Sequence, residues 1–414
     1  MEYRQGCVAQ MVIEIGHNGA AALVPGTSAR GNDGKDQSLR TSSILDEIRE
    51  TFAGRTVLVT GHSGFKGSWL TCWLAQLGAV VVGVSLPPEQ GADNLFDGAK
   101  IGNLCDQSYW CDIRDYDLLL DIFRRHKPSI VVHLAAQALV RRAYGNPLET
   151  FSSNVMGTAH VLEAARQTSS VGALLCVTTD KVYSNQEWHW PYRESDALGG
   201  IDPYSASKGA AELVARTYMM TLRDPSRSYA LATARGGNVI GGGDWSTDRI
   251  VPDIVRSIRA GEALQLRSPL AIRPWQHVLE LCYGYLVLAT RLYHGWPARK
   301  AGPEAFIGAF NFGPEATNEV TVETIANSFL RAWGKASYPI EVGSSKLHES
   351  TYLRLDSSKA RQEIGWRPLL AFDETIELTA NWYRRYLAGE DAANLLKEQI
   401  DRYEQLIKAI AAQS

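Results

Sequence analysis

The stretch Thr56-Val57-Leu58-Val59-Thr60-Gly61-His62-Ser63-Gly64-Phe65-Lys66-Gly67 decides the fold of this chain. Its first five residues form an apolar and β-branched run, as in a strand buried on both faces of a parallel sheet. Gly61, Gly64 and Gly67 follow at once, and Trp69, Leu70, Trp73, Leu74 and Leu77 then recur at helical spacing. Glycines between a buried strand and a helix allow a tight turn, bring backbone up to a phosphate with no Cβ in the way, and leave the helix N-terminus open to an anion. The spacing departs from G-x-G-x-x-G, and a glycine triplet alone marks no more than a turn. Inside a βαβ unit completed by the apolar run Ala79–Val84, it points to a dinucleotide pyrophosphate, with Ser63, Phe65 and Lys66 in the same loop.

Outward from this unit, helical and short apolar segments alternate. A helix is predicted near Asp117–His126, a strand at Ile130–Leu134, a helix near Asn154–Gln167, a strand at Ala173–Thr178, a long helix from Tyr204 and a strand near Tyr229–Ala234. Strict alternation implies an α/β fold built on a doubly wound parallel Rossmann sheet. Past Gly236, helices near Val251–Arg259, His277–Tyr293, Thr321–Trp333, Phe372–Leu387 and Ala392–Ala411 are separated by Gly/Pro-rich segments, as expected of a smaller C-terminal α/β substrate-binding domain. The expected organisation is an N-terminal extension at 1–44, flexible and without chemistry, a dinucleotide-binding domain at 45–236, and a substrate domain at 237–414. A segment near 309–313 is expected to return to the main sheet as an edge strand.

With 414 residues and 45% apolar composition the chain can bury a sizeable core. A net charge of -3 supplies no basic field, which argues against nucleic acid as a partner. Six cysteines without paired ligand spacing suggest no metal site and a reducing, cytoplasmic setting. No apolar run approaches the roughly 20 residues that span a bilayer, so no membrane partner is expected.

Tyr204 and Lys208 stand four apart on a predicted helix and share one face, so an ammonium can hold a phenol near ionisation. With Thr179 as a hydroxyl partner upstream, this is a base for oxidising an alcohol. Asp180 and Lys181 end an apolar strand, where ligands bind in open α/β sheets. They offer one group to protonate a leaving hydroxyl and one to remove a proton alpha to a carbonyl, a plain strand-end ion pair being the alternative. At the end of the second strand Ser85-Leu86 replaces the usual acidic ribose ligand, and no Arg or Lys stands ready for a 2′-phosphate. NAD is therefore favoured over NADP, loosely gripped. Asp112-Ile113 falls where such folds meet the adenine, and Leu134-Ala135-Ala136 is small enough to admit the dinucleotide; for both, capping or packing is the alternative.

On Gly61-His62-Ser63-Gly64-Phe65-Lys66-Gly67-Ser68-Trp69, Asn154-Val155-Met156-Gly157-Thr158, Asn238-Val239-Ile240-Gly241-Gly242-Gly243-Asp244-Trp245 and Ile272-Arg273-Pro274-Trp275-Gln276-His277-Val278, the chain resembles the CDP-D-glucose 4,6-dehydratases, a family of extended short-chain dehydrogenases. The resemblance runs from Thr56 to about Trp382. Relatives acting on dTDP-glucose carry Thr-Asp-Glu where Thr179-Asp180-Lys181 stands, so the lysine points to the CDP branch. The resemblance implies catalysis by Thr179, Asp180, Lys181, Tyr204 and Lys208. It also implies bound NAD as a catalytic cofactor, contact with the CDP-glucose substrate by Asn238, Arg249, Arg273, Trp245 and Gln137, and a homodimer built from the helices near Asn154–Gln167 and Tyr204–Leu222. Trp188, Trp190 and Trp275 are expected to wall the pocket beside Trp245. A nucleotide-sugar 4-epimerase or simple dehydrogenase, a 4,6-dehydratase for another nucleotide and a non-catalytic NAD-binding protein are the rival readings; Asp180-Lys181 argues against the epimerase and dehydrogenase, and intact Thr179, Tyr204 and Lys208 against the non-catalytic protein.

Overall fold

The alternation of side chains along the strands builds two cores, one on each face of a sheet. In the computed structural model, which describes residues 43–222, 229–295, 303–315, 320–343 and 352–413, the order is α1 (Ile44–Phe52), β1 (Thr56–Thr60), α2 (Phe65–Gln76), β2 (Val80–Ser85), α3 (Leu95–Gly98), β3 (Gln107–Trp110), α4 (Tyr116–His126), β4 (Ile130–His133), α5 (Val140–Gly145), α6 (Pro147–Phe151), α7 (Gly157–Arg166), β5 (Ala173–Val177), α8 (Pro203–Met220) and β6 (Ala230–Gly236). Then follow β7 (Val239–Ile240), α9 (Ile250–Ala260), β8 (Leu264–Leu266), β9 (Gln276–His277), α10 (Val278–His294), β10 (Gly308–Phe312), α11 (Val322–Trp333), β11 (Ile340–Val342), α12 (Phe372–Leu387) and α13 (Ala392–Ala411).

Seven strands form one parallel sheet in the order β10-β6-β5-β4-β1-β2-β3. Val57, Val59, Ile130, Val132, Leu175 and Val177 point into one core, and Leu58, Val131, Leu174 and Cys176 into the other. A strand with helices over both faces must be apolar at every position, which is why these runs show no polar alternation. Each buried Val or Leu contributes about 1.5–3 kcal/mol. Trp69 and Trp73 of α2, fully buried, pack the first core together with Trp382 of α12.

β3, the edge beyond β2, is not foreseen in the sequence: Gln107–Trp110 is short and half exposed and carries no apolar run. The helix α1 is also unforeseen, although a capping box between Ser43 and Asp46 marks its start. The helix expected from Asn154 starts at Gly157, behind a π-helical turn at Ser152–Met156 in which the Asn154 side chain turns inward. Gly308–Phe312 pairs in parallel with β6 as the other edge. The expectations for the N-terminal extension fall outside the described residues, apart from Ser43 and Ile44, which belong to α1.

Candidate active site

Strand order reverses between β1 and β4, and Gly61, Leu134 and Ala135 stand at the carboxyl ends of those two strands. Gly61 has φ +77°, and a Cβ on it would lie 2.7 Å from the Ala135 nitrogen; a Cβ on Gly67 would lie 2.0 Å from the Gly61 carbonyl oxygen. Backbone approach thus requires both glycines. Gly64 caps α2 without a side chain, so the first N–H groups of this 12-residue helix stay available to an anion, with Phe65 and Lys66 in its first turn. Ser63 donates from its hydroxyl to the Leu86 carbonyl at 2.9 Å and from its amide to Ser85 Oγ at 3.2 Å. Ser85 Oγ also meets His62 Nδ1 at 2.8 Å, and burial drives that imidazole down to about 4, so it is neutral. The end of β2 therefore presents hydroxyls and an uncharged ring, with no carboxylate. Asp112 is engaged by Arg114, whose Nε lies 2.9 and 3.0 Å from the two carboxylate oxygens and holds the carboxyl below its usual range. Ile113 fills the space over Gly157, and Leu134, Ala135 and Ala136 remain partly exposed. A bare helix N-terminus behind a glycine turn, at the switch point of the sheet, fits a dinucleotide.

A cavity of about 580 Å³ opens beside it, lined by Lys66, Thr179, Asp180, Lys181, Tyr204, Asn238, Arg249 and Arg273 among others. Tyr204 is held in the first turn of α8, where Asp202 caps the helix by accepting from the Ser205 amide at 3.0 Å. Thr179 stands beside the Tyr204 phenol and favours its ionised form, and its hydroxyl donates to Asp180 Oδ1 at 2.9 Å. Asp180 is 2% exposed, and its Oδ2 is buried without a partner among the described residues. Burial pushes the Asp180 carboxyl above its usual range, against the pull of Lys181, Thr179, Arg273 and Lys66. Burial likewise pushes the Tyr204 phenol up to about 12, while Thr179 and Arg249 work the other way. Lys208 shares the helix face of Tyr204 but does not rest on the phenol. Its Nζ donates to the Val177 carbonyl at 3.0 Å, since a buried ammonium takes the nearest acceptor, here at the end of β5.

Of the residues expected to meet substrate, Asn238, Arg249 and Arg273 reach the cavity; Gln137 and Trp245 do not. The Gln137 amide is consumed at both ends, donating to Thr150 Oγ1 at 2.9 Å and accepting from the Leu139 amide at 2.6 Å, so it shapes the turn after β4. Trp245 packs edge-on against Tyr383, with ring centroids 5.3 Å apart. Trp188 and Trp190 stack on each other, Trp188 also on Tyr192, and of the four tryptophans only Trp275 lines the cavity. Sequence reasoning passes over Glu212, which accepts from Thr178, Thr233 and Arg235 in a buried network behind the end of β5. Its spacing, four residues after Lys208 and eight after Tyr204, is the signal that could have found it. It also passes over Arg141, Asp248 and Arg267, an ion-pair chain at the cavity rim drawn from three distant segments that no local pattern joins.

Residues 58–379 match the family described as GDP-mannose 4,6 dehydratase. The chain belongs to this family. Among curated relatives, a CDP-glucose 4,6-dehydratase of Salmonella typhimurium is 43% identical over 354 residues, covering 84% of this chain and 96% of the relative. A dTDP-glucose 4,6-dehydratase of Streptomyces antibioticus is 31% identical, covering 79% and 92%. Among solved structures, a dTDP-glucose 4,6-dehydratase of Streptomyces venezuelae with NAD bound superposes with a TM-score of 0.68 at 25% identity, covering 80% of this chain and 98% of that one. A UDP-glucose 4-epimerase of Thermotoga maritima, at 22% identity and the same TM-score, shares the fold. Family membership covers both the glycine loop and the cavity, since the matched residues contain every loop and cavity residue named above.

Proposed function

We propose that this chain catalyses the NAD-dependent conversion of CDP-D-glucose to CDP-4-keto-6-deoxy-D-glucose and water, a step toward deoxysugars. The observation that carries the reading is Asp180: a carboxyl biased toward its protonated form by burial, with one oxygen unpartnered, in the same cavity as Thr179, Tyr204 and Lys181. An epimerase or a simple dehydrogenase has no use for such an acid. The Salmonella relative supports the CDP branch. Bound NAD supplies a hydride acceptor for C4 and later in the turnover a hydride donor for C6. Gly61, Gly64, Gly67 and the first turn of α2 hold its pyrophosphate, with Ser63, Phe65, Lys66, Leu134, Ala135 and Ala136 around it and Asp112-Ile113 toward the adenine.

In this reading Tyr204, beside Thr179, takes the proton of the sugar 4-hydroxyl. The resulting 4-ketone acidifies C5, from which Lys181 in its neutral amine form removes a proton while Asp180 gives one to the 6-hydroxyl, which departs as water; once C6 has received hydride, Lys181 returns its proton to C5. Asn238, Arg249 and Arg273 hold the nucleotide sugar, Arg273 through the planar donors suited to phosphate oxygens. The residues up to about 236 serve the dinucleotide, and most of those beyond serve the sugar nucleotide.

Two further parts belong to the same reading. Leu148, Met156, Leu213 and Met220 are more than half exposed on α6, the turn before α7, and α8, an apolar face suited to a second copy of the chain. Val161 and Leu162 of α7 instead point fully into their own sheet. The five described cysteines are all unpaired, which supports a reducing cytoplasm, and no helix among the described residues is long and apolar enough to cross a membrane. The test is to incubate the purified protein with NAD and, separately, CDP-, dTDP-, UDP- and GDP-glucose. A 4-keto-6-deoxy sugar from CDP-glucose is expected, and no such product from any of them overturns the reading.

A further inference from the structure

Lys66 follows the glycine loop directly, yet its side chain lines the reaction cavity. Among the described residues no hydrogen bond or ion pair takes up its ammonium. The charges around it are divided, two cations weighing more than two acidic groups. Arg249, at the N-cap of α9, and Lys208, on α8, press against it, while Cys282 on α10 and Asp180 after β5 favour its charge. Burial and these cations bring the ammonium down to about 8. The Arg249 guanidinium has one polar contact among the described residues, Asp244 Oδ2 at 3.4 Å, at the long limit of a hydrogen bond. Like charges facing one partly buried cavity repel, and an anion between them removes the repulsion and supplies acceptors to both. A sugar hydroxyl brings no charge to do this, whereas a diphosphate ester brings negative oxygens on two adjacent phosphorus atoms.

We propose that Lys66 and Arg249 form a clamp on the diphosphate of a nucleotide ligand, an inference that rests on the nucleotide-sugar reading of the cavity. Two ligands of that reading carry this group, the sugar nucleotide and the dinucleotide. Lys66 stands between their sites, at the head of α2 and on the cavity wall. A consequence follows for protons: an ammonium lowered to about 8 takes up, at pH 8, about half a proton when an anion arrives beside it. Asp180, Lys181, Tyr204, Lys208 and Arg273 also surround the ligand, so the share of Lys66 is the difference between wild type and a variant lacking its charge.

Calorimetry at pH 8 in two buffers of unlike ionisation enthalpy measures that proton count, with CDP as one probe and NAD as the other. Wild type is expected to take up about half a proton more than Lys66→Met with the ligand that is clamped. That ligand should bind the Met variant about 10- to 100-fold more weakly, as for loss of a charge-assisted hydrogen bond. Lys66→Arg, permanently charged, should restore affinity without restoring proton uptake, which a role in folding alone would not produce. The arm that changes names the diphosphate. If wild type and Lys66→Met bind CDP and NAD alike with equal proton counts, the clamp is wrong and the dehydratase reading stands; if wild type binds neither probe, both fall.

Discussion

At Tyr204 the local chemistry runs against the simplest expectation for a base. Its phenol is pushed up to about 12 by burial, and the lysine four residues on is directed to a carbonyl of β5. The phenol is thus protonated in the free protein; Arg249 pulls it toward ionisation, and the positive nicotinamide ring of a bound cofactor would add to that pull. Tyr204→Phe should lower kcat by about 10² to 10⁴ while CDP-glucose binding by calorimetry stays within a few-fold. Retention of more than about a tenth of the wild-type rate would exclude it as the base. In the proposed mechanism Asp180 and Lys181 serve the later step, so Asp180→Asn and Lys181→Met should leave oxidation at C4 intact. Adding CDP-glucose should then give lasting reduced-nicotinamide absorbance and a 4-ketoglucose nucleotide with little 6-deoxy product. Lys181→Met should slow exchange of the C5 hydrogen with solvent more than Asp180→Asn does. Full turnover by both variants would leave the pair as a plain strand-end ion pair.

Single elements show how far local pattern carries. The glycine loop is legible because each of its requirements is local: a buried strand before it, a helix after it, and backbone approach that excludes a Cβ at Gly61 and Gly67. What surrounds the ribose is not local. The missing acidic residue at the end of β2 is visible in the sequence, but the link from Ser85 to His62 and Ser63, and the 56% exposure of Leu86, depend on how β2 sits beside the loop. A carboxylate at 85 would be buried against that link, while one at 86 extends toward solvent. Leu86→Glu should therefore tighten NAD binding several-fold in a fluorescence titration and Ser85→Asp should weaken it; the opposite order would show that position 85 faces the ribose. Gln137 and Trp245 lie outside the cavity for a related reason. Position in a motif does not reveal that an amide is consumed by Thr150 and Leu139, or that an indole faces Tyr383.

For the molecule as a whole, two features depend on segments far apart in the chain. Glu280 of α10, buried, accepts from the Leu369 and Leu370 amides at 2.9 and 2.6 Å and from the Tyr403 hydroxyl of α13 at 2.7 Å, tying the C-terminal helix to the core. Burial raises its carboxyl from 4.5 to about 7. Between those values the folded chain holds a proton that the unfolded chain has released, so stability falls as pH rises through this window and levels off above it, by about 3 kcal/mol in all. Glu280→Gln keeps the acceptor for the two amides and should flatten that decline, raising Tm relative to wild type at pH 8 but not at pH 5. A variant destabilised equally at both values would show that the carboxyl is not protonated in the fold. The apolar face of α6, the turn before α7, and α8 predicts a dimer by light scattering at micromolar concentration, reduced to monomer by Leu213→Glu with Met220→Glu. A monomeric wild type would rule this interface out.

The parallel sheet, the glycine turn and the placing of Thr179, Asp180 and Lys181 after a buried strand and of Tyr204 at the head of a helix are determined by sequence alone, because strand burial, helical phase and glycine geometry are properties of consecutive residues. The edge strand β3 lacks an apolar period, and its place comes from the β2 strand it pairs with; α1 has one, in Leu45, Ile48 and Phe52, but it is short and ends at Phe52. Which side chains share the cavity, where Lys208 spends its proton donors, and which carboxyls and ammoniums titrate near neutrality were decided only by tertiary structure. Burial and the sign of the nearest charge come from segments the chain brings together by folding, and no spacing along it records them.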